Sequence, residues 1–336
     1  RIVYRKQKRI TVIGGGSWPT ALVKILSENQ NIKITWWLRK EEDVKYLKDY
    51  KHNPTYLSSV QIDLTKVVPT NDLSFALNQS KIIILGVPSA FLFKVLKDVH
   101  PNSFDGKRVI SAIKGVIPET MEIVGEYVQS KFNVKERSIA VISGPCHAEE
   151  VALEKLSYLT IASRRMPLRK VLMDLFACRY IKVRGTTDLY GVEYAAVLKN
   201  IYAIAGGICH GLSYGDNFHA VLVTNALQEM KRFLEGVNQH SRSVKANAYL
   251  GDLLVTTYSQ FSRNRTFGVM VGKGYSVQAA QMEMEMIAEG YYATKSVFEI
   301  NKRVKADMPI MNAVYEILYE GKNRKQAILE IVDGLA

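Results

Sequence analysis

Along the first half of the chain, short unbroken apolar runs alternate with amphipathic stretches. The runs RITVIG, KITWWL, KIIILGV, RVISAI, IAVISG, YLTIAS and YIKVRGTTD read as strands. Each is continuous rather than alternating, the pattern of strands covered on both faces of a parallel sheet. Helical periodicity fills the segments between them, so the pattern predicts a doubly wound α/β domain. From about Tyr190 the character changes. YGVEYAAVLKNIYAIAGGICHGL, HAVLVTNALQEMKRFLEG and MPIMNAVYEILYEGKNRKQAILEIVDGL predict helices, with no further strands. Gly206–Gly207 is expected to end or kink the first of these. The expected division is an α/β domain over residues 1–187 and an all-α domain over 188–336.

Composition narrows the class without changing that picture. A chain of 336 residues has the length of about two domains. Its 47% hydrophobic and 23% charged content excludes a disordered chain. The most apolar run, IIILGVPSAFLFKVL, is too short and too interrupted to cross a bilayer. The basic opening RIVYRKQKRITVIGGG lacks a small-residue cleavage site and reads as a short arm leading into the first strand. Cys146, Cys178 and Cys209 follow no pairing or metal spacing, which fits free thiols in a reducing compartment. The net charge of +13 fits either nucleic acid or a basic surface around a site for small anions. Clusters such as RKQKR and SRRMPLRK come without zinc-finger spacing or an RRM-type aromatic signature, which favours the small anion.

The first candidate chemistry is ITVIGGGSWPTALVKIL, an apolar strand, a glycine turn and an amphipathic run. Gly14 would make the tight turn, and Gly16 would let backbone approach a pyrophosphate at the helix N-terminus. Pro19 stands where the dinucleotide fingerprint has its third glycine. That glycine serves helix–strand packing, and proline is tolerated in a first helical turn, so binding is expected to survive. The second strand ends in Arg39 and Lys40 rather than in an acidic residue. They suit a ribose 2′-phosphate, favouring NADPH over NADH, although two exposed basic side chains after a strand would look the same.

Lys199 lies in the apolar helical run AAVLKNIYAIA. By itself that leaves open a buried functional amine and a snorkelling side chain. Lys114 follows a strand, where ligands gather at the carboxyl ends of parallel sheets, or is a plain loop lysine. Asp252 is a helix-start carboxylate, and Thr256 lies one turn on along the same face. The SRNR cluster is a phosphate clamp or a basic turn. His147, His210 and His219 lack metal spacing with carboxylates, and no metal is expected.

Taken in order, the glycine loop, SAIKGV, SGPCHAEEV, GVEYAAVLKNIYAIAGGI, LGDLLVTTYSQFSRNRTFG and EMIAEGYYATKSV resemble NAD(P)-dependent glycerol-3-phosphate dehydrogenase of the bacterial biosynthetic type. The resemblance spans nearly the whole chain. It implies a Rossmann-like dinucleotide domain followed by a helical substrate and catalytic domain. It implies hydride transfer between NAD(P)H and dihydroxyacetone phosphate, giving sn-glycerol 3-phosphate for glycerophospholipid synthesis. Lys199 would be the general acid/base, with Lys114 and Asp252 completing the catalytic set. Substrate contacts would come from Lys114, Gly144, Cys146, Lys199, Asn200, Asp252, Thr256, Ser262, Arg263 and Asn264. Cofactor contacts would come from Gly14, Gly16, Ser17, Trp18, Arg39, Lys114, Ala148, Arg263, Ile287 and Glu289, with Arg265 further out.

Three departures from the family pattern stand out: Ile113 where threonine is usual, Tyr249 before the LGD motif, and Cys146–His147 where Ser-Phe is common. A cytoplasmic homodimer without nucleic acid or stable membrane insertion is the further implication. The competing readings are another β-hydroxyacid dehydrogenase of the same two-domain plan, and a non-catalytic nucleotide-sensing or nucleic-acid-binding protein.

Overall fold

The computed structural model describes residues 7–335, so the first six residues of the expected basic arm lie outside the described residues. The chain forms two compact units. One takes the chain up to Val87 together with residues 91–113 and 124–189. The other takes residues 88–90, 114–123 and the chain from Tyr190 onward.

The first unit is built on an eight-stranded sheet. Its strands are β1 (Lys8–Ile13), β2 (Ile32–Trp37), β3 (Val67–Thr70), β4 (Ile82–Leu85) and β5 (Arg108–Ser111). After the two-residue strands β6 (Val116–Ile117) and β7 (Glu122–Ile123) come β8 (Ile139–Ser143), β9 (Ser157–Ala162) and β10 (Ile181–Thr186). The sheet order is β10-β9-β8-β5-β4-β1-β2-β3, while β6 and β7 pair as a small antiparallel ladder. Ile10, Val12, Ile34, Trp36, Ile84, Ile110 and Ile142 are fully buried along the central strands. Their continuous apolar runs follow from this double-sided cover.

Two strand features differ from the sequence expectation. The sheet is parallel from β3 to β8, but β9 runs antiparallel to β8 and β10 runs parallel to β9. The link from β8 to β9 carries only the five-residue helix Ala148–Ala152, too short for a crossover along the sheet. The link from β9 to β10 carries the eleven-residue helix Met166–Phe176 and restores a crossover. Strand β3 escapes sequence reading because of Pro69, which its edge position tolerates: β2 pairs with it on one side only.

In the second unit the helix Leu189–Gly211 runs for 23 residues, straight through Gly206–Gly207. The expected stop does not occur, because the glycines serve helix packing. A Cβ on Gly207 would lie 2.9 Å from Gly268 Cα, and one on Gly211 would lie 2.9 Å from Gly272 Cα. Only glycines let the helix Arg263–Lys273 approach so closely. The last expected helical stretch divides into Pro309–Tyr319 and Arg324–Val332, parted at Gly321 with φ of 69° and restarted by an Asn323 side-chain cap. Buried Glu229 accepts hydrogen bonds from the Ile310 and Met311 N–H groups, each at 2.9 Å, and so caps the first of these two helices. No described helix is long and apolar enough to cross a membrane.

Candidate active site

In the sheet unit the strand order reverses beside β1, which lies between β2 and β4. A crevice opens outside the carboxyl ends of the strands at such a point. The turn Gly14–Gly16 occupies this place, between β1 and the helix Ser17–Ser27. Gly14 has φ of 131°, and a Cβ there would lie 2.9 Å from the Gly86 carbonyl carbon. Around Gly16, by contrast, the nearest atom to an added Cβ is 3.9 Å away, so there is room for a ligand to approach the backbone. Gly16 is the N-cap and brings no side-chain cap, which leaves this helix start suited to an anion.

Pro19 lies buried in the first turn of that helix. Its ring faces Gly86, where an added Cβ would come within 2.8 Å of Pro19 Cγ. The glycine missing at position 19 is thus answered by one across the contact, at the end of β4. Ser17 is buried and Trp18 is half-buried against the core. Arg39 and Lys40 are exposed just beyond β2. Gly144, at the end of β8, has φ of 116°, and a Cβ there would lie 2.7 Å from the Tyr158 carbonyl oxygen. Cys146 and Ala148 follow it and are buried. Open backbone at Gly16, an uncapped helix start and basic groups after β2 together fit a dinucleotide phosphate.

In the helical unit, charge is gathered where burial makes it expensive. Lys199 is 4% exposed and Asp252 1%. The Lys199 ammonium donates to Asp252 Oδ1, and Lys114 Nζ stands 3.9 Å from Asp252 Oδ2. Desolvation lowers the Lys199 pKa from the ordinary lysine value to about 7; Asp252 opposes the shift and Lys114 adds to it. Asn200 donates from Nδ2 to the Lys114 carbonyl oxygen at 2.9 Å, so adjacent residues of one helix hold both the backbone and the charge balance of Lys114. Thr256 is buried one turn after Asp252, and its Oγ1 has no hydrogen-bond partner among the described residues.

The SRNR segment opens the helix Arg263–Lys273. Ser262 caps it by accepting from the Arg265 N–H at 3.2 Å. Arg263 reaches Met286 Sδ at 3.2 Å, and Asn264 Oδ1 accepts from the Gly290 N–H at 2.8 Å. Glu289 takes the Ser89 N–H at 3.0 Å on one oxygen and the Ser89 hydroxyl on the other. Burial raises the Glu289 pKa, while Ser89 and the Arg263 charge act the other way. Ile287 lines a cavity of about 160 Å³ with Phe267, Met286, Tyr291 and Tyr292.

The comparisons with known proteins decide the family. The NAD-dependent glycerol-3-phosphate dehydrogenase N-terminus matches residues 9–168, and its C-terminus matches residues 188–329. The glycerol-3-phosphate dehydrogenase (NAD(P)+) of Staphylococcus haemolyticus is 35% identical over 96% of this chain and 97% of its own. The chain belongs to the NAD-dependent glycerol-3-phosphate dehydrogenase family.

The same kinship holds for the corresponding Staphylococcus aureus protein, 34% identical over 97% of this chain and 98% of its own. Among solved structures, the glycerol-3-phosphate dehydrogenase of Coxiella burnetii superposes with a TM-score of 0.91 at 30% identity, covering 97% of this chain and 99% of that one. These relatives give no support to a hydroxyacid dehydrogenase or a non-catalytic binding protein.

Within this family member, Lys114, Lys199, Asn200 and Asp252 form one cluster. Glu289 is held by Ser89 rather than idle at the surface, and the Asp252 carboxylate meets both lysines. Sequence reasoning missed Ser89, which holds Glu289, and Gly115, whose missing Cβ makes room for that pair. It also missed Asn53 and Gly86 around the glycine loop. Ser89 and Glu289 lie 200 residues apart, and nothing in LGVPSAF marks its serine as a partner for a distant carboxylate.

Proposed function

We propose that this chain catalyses hydride transfer between NAD(P)H and dihydroxyacetone phosphate, yielding sn-glycerol 3-phosphate that supplies glycerophospholipid synthesis. The observation that carries the reading is the buried Lys199 amine, paired with Asp252 and close to Lys114, with its pKa lowered to about 7. Such an amine exchanges protons near neutrality, as a general acid/base must. In the reductive direction Lys199 gives its proton to the carbonyl oxygen as that oxygen becomes an alkoxide. Lys114 supplies a second positive charge toward the same oxygen and keeps the Lys199 proton labile. Asp252 orients both amines.

Arg263, with Ser262 and Asn264 beside it, grips the substrate phosphate; a guanidinium matches its oxygens with a planar fork. Thr256 brings a hydroxyl whose buried oxygen lacks a protein partner among the described residues. Gly144 and Cys146 meet the substrate through backbone. When bound, the nicotinamide coenzyme supplies the hydride. Gly14, Gly16, Ser17 and Trp18 hold its pyrophosphate, Arg39 favours a 2′-phosphate and hence NADPH, and Ala148, Ile287 and Glu289 hold its nicotinamide half. In this reading residues 1–187 carry the dinucleotide and 188–336 the substrate, in a cytoplasmic homodimer.

A substrate screen that follows NADPH oxidation tests the reading. Turnover of dihydroxyacetone phosphate supports it. Turnover of a non-phosphorylated hydroxyacid couple such as hydroxyisobutyrate, with none of the phosphorylated ketone, overturns it.

A further inference from the structure

The glycine turn is held from behind by two side chains outside it. Trp36, fully buried in β2, donates from its indole Nε1 to the Gly14 carbonyl oxygen at 2.7 Å. Asn53, 2% exposed, donates from Nδ2 to the Gly15 carbonyl oxygen at 3.0 Å. The same amide donates to Thr20 Oγ1 at 3.0 Å, and its Oδ1 accepts from the Thr55 and Tyr56 N–H groups, each at 3.0 Å. Every polar valence of the Asn53 amide that matters for orientation is therefore used, and the side chain has one available pose. Thr20 in turn donates to the Gly16 carbonyl oxygen at 2.7 Å.

These bonds have a directional consequence. A trans peptide is planar, with its carbonyl and its N–H on opposite sides. The described residues contain no cis peptide bond. Drawing the Gly14 carbonyl toward Trp36 therefore turns the Gly15 N–H the other way, and drawing the Gly15 carbonyl toward Asn53 does the same to the Gly16 N–H. Neither N–H is bonded among the described residues. Beside them, an added Cβ at Gly16 would meet nothing closer than 3.9 Å, so the backbone there is open to a ligand.

Asn53 also lies in a long stretch without regular structure, between the helix Glu41–Tyr50 and β3. A loop of that length in a compact unit tends to have a task. This one is pinned by Val60 and Ile62, both buried, and by the Ile62 N–H bond to the Lys51 carbonyl at 2.8 Å.

We propose that Trp36 and Asn53 are positioning residues for the coenzyme: they hold the Gly14 and Gly15 carbonyls so that the next two N–H groups are preset toward the pyrophosphate. The proposal rests on the reading of the glycine turn as the coenzyme loop. The preset geometry spares the loop a reorientation on binding, which shows as affinity. Trp36 and Asn53 touch neither substrate nor reacting atoms, so the chemical step is left alone.

Four proteins separate the proposal from the reading beneath it: wild type, Gly16→Ala, Trp36→Phe and Asn53→Ser. Trp36→Phe keeps an aromatic ring and removes the donor. Asn53→Ser keeps a short acceptor for the local turn but cannot reach the Gly15 carbonyl. Calorimetry measures the NADPH Kd and thermal melting the Tm; steady-state rates give kcat and KM. Gly16→Ala tests the loop itself, because a methyl fits the protein there but obstructs a phosphate.

The expected result is that Trp36→Phe and Asn53→Ser each weaken NADPH about three- to tenfold, the worth of one hydrogen bond. With saturating NADPH, kcat and the KM for dihydroxyacetone phosphate stay unchanged. A merely structural role would lower Tm and the active fraction while leaving the Kd of the folded protein as it was, and that result overturns the proposal. If Trp36→Phe fails to fold, Asn53→Ser alone decides. If Gly16→Ala binds NADPH like wild type, the coenzyme-loop reading fails, and the proposal with it. If Gly16→Ala alone is weakened, the loop reading stands and the positioning role is refuted.

Discussion

The two units prepare for chemistry in opposite ways. In the helical unit, side chains act and backbone supports: Lys199, Asp252 and Lys114 are the charged groups, and Asn200 fixes the Lys114 backbone. In the sheet unit, backbone acts and side chains support: Gly14 and Gly15 carbonyls are tied to Trp36 and Asn53, and Pro19 rests on Gly86. The difference follows from what each is proposed to hold. A proton transfer needs a titratable atom whose pKa is tuned by burial and neighbours. A pyrophosphate needs several donors at close range, which only backbone without a Cβ provides. Substitutions in the helical unit are therefore expected to change turnover or the KM for the ketone substrate, and those in the sheet unit to change coenzyme affinity or stability.

The largest effect tests the acting side chain. Lys199→Ala is expected to lower kcat for dihydroxyacetone phosphate reduction by about a thousandfold, the scale of lost general acid catalysis, with NADPH affinity within about twofold of wild type. Stopped-flow turnover and calorimetry measure both. An equal loss of affinity would erase the contrast between the units.

Next comes the phosphate grip. Arg263→Ala should raise the KM for dihydroxyacetone phosphate by about a hundredfold or more, a charge-assisted bidentate contact being worth a few kcal/mol. Guanidinium chloride added to the assay should restore part of the rate. An unchanged KM would reduce the SRNR segment to a helix start.

A smaller effect concerns packing in the sheet unit. Gly86→Ala places a Cβ 2.8 Å from Pro19 Cγ. It should cost about 1–3 kcal/mol of stability in urea unfolding, the range for overpacking. Pro19→Gly together with Gly86→Ala should recover most of it, giving a clear coupling energy. Additive effects would mean that the two positions are independent.

The smallest effect is at the rim. Arg39→Asp should weaken NADPH several-fold more than NADH, since an exposed charge contributes little beyond about 1 kcal/mol. Equal losses with both coenzymes would remove the 2′-phosphate role.

Much of this contrast is legible in the amino-acid sequence. Lysine in AAVLKNIYAIA stands out because burying an unused charge is costly, and the fold does bury Lys199. Gly14-x-Gly16 stands out because a strand precedes it and a helix follows. The supporting groups are silent. Asn53 is 38 residues from the carbonyl it holds, in a loop without periodicity. Gly86 matters only through its distance to Pro19, which no local pattern encodes. The reversal of β9 is hidden for the same reason: SGPCHAEEV shows a helix but not that the helix is too short to return the chain. Pattern records what each residue prefers locally; who it meets is settled by topology.

The central claim is that Lys199 carries the proton and that burial sets its pKa. The most direct test is a pair of pH profiles of kcat/KM, one for dihydroxyacetone phosphate reduction and one for glycerol 3-phosphate oxidation. Reduction needs the ammonium and oxidation needs the free amine. With a Lys199 pKa lowered to about 7, the reductive rate should fall as pH rises through that value and the oxidative rate should rise through it. Removing the Lys114 charge, as in Lys114→Met, should move both midpoints upward, because that charge helps hold the pKa down. Profiles that bend only near the ordinary lysine value, or that stay where they are in Lys114→Met, would contradict the account.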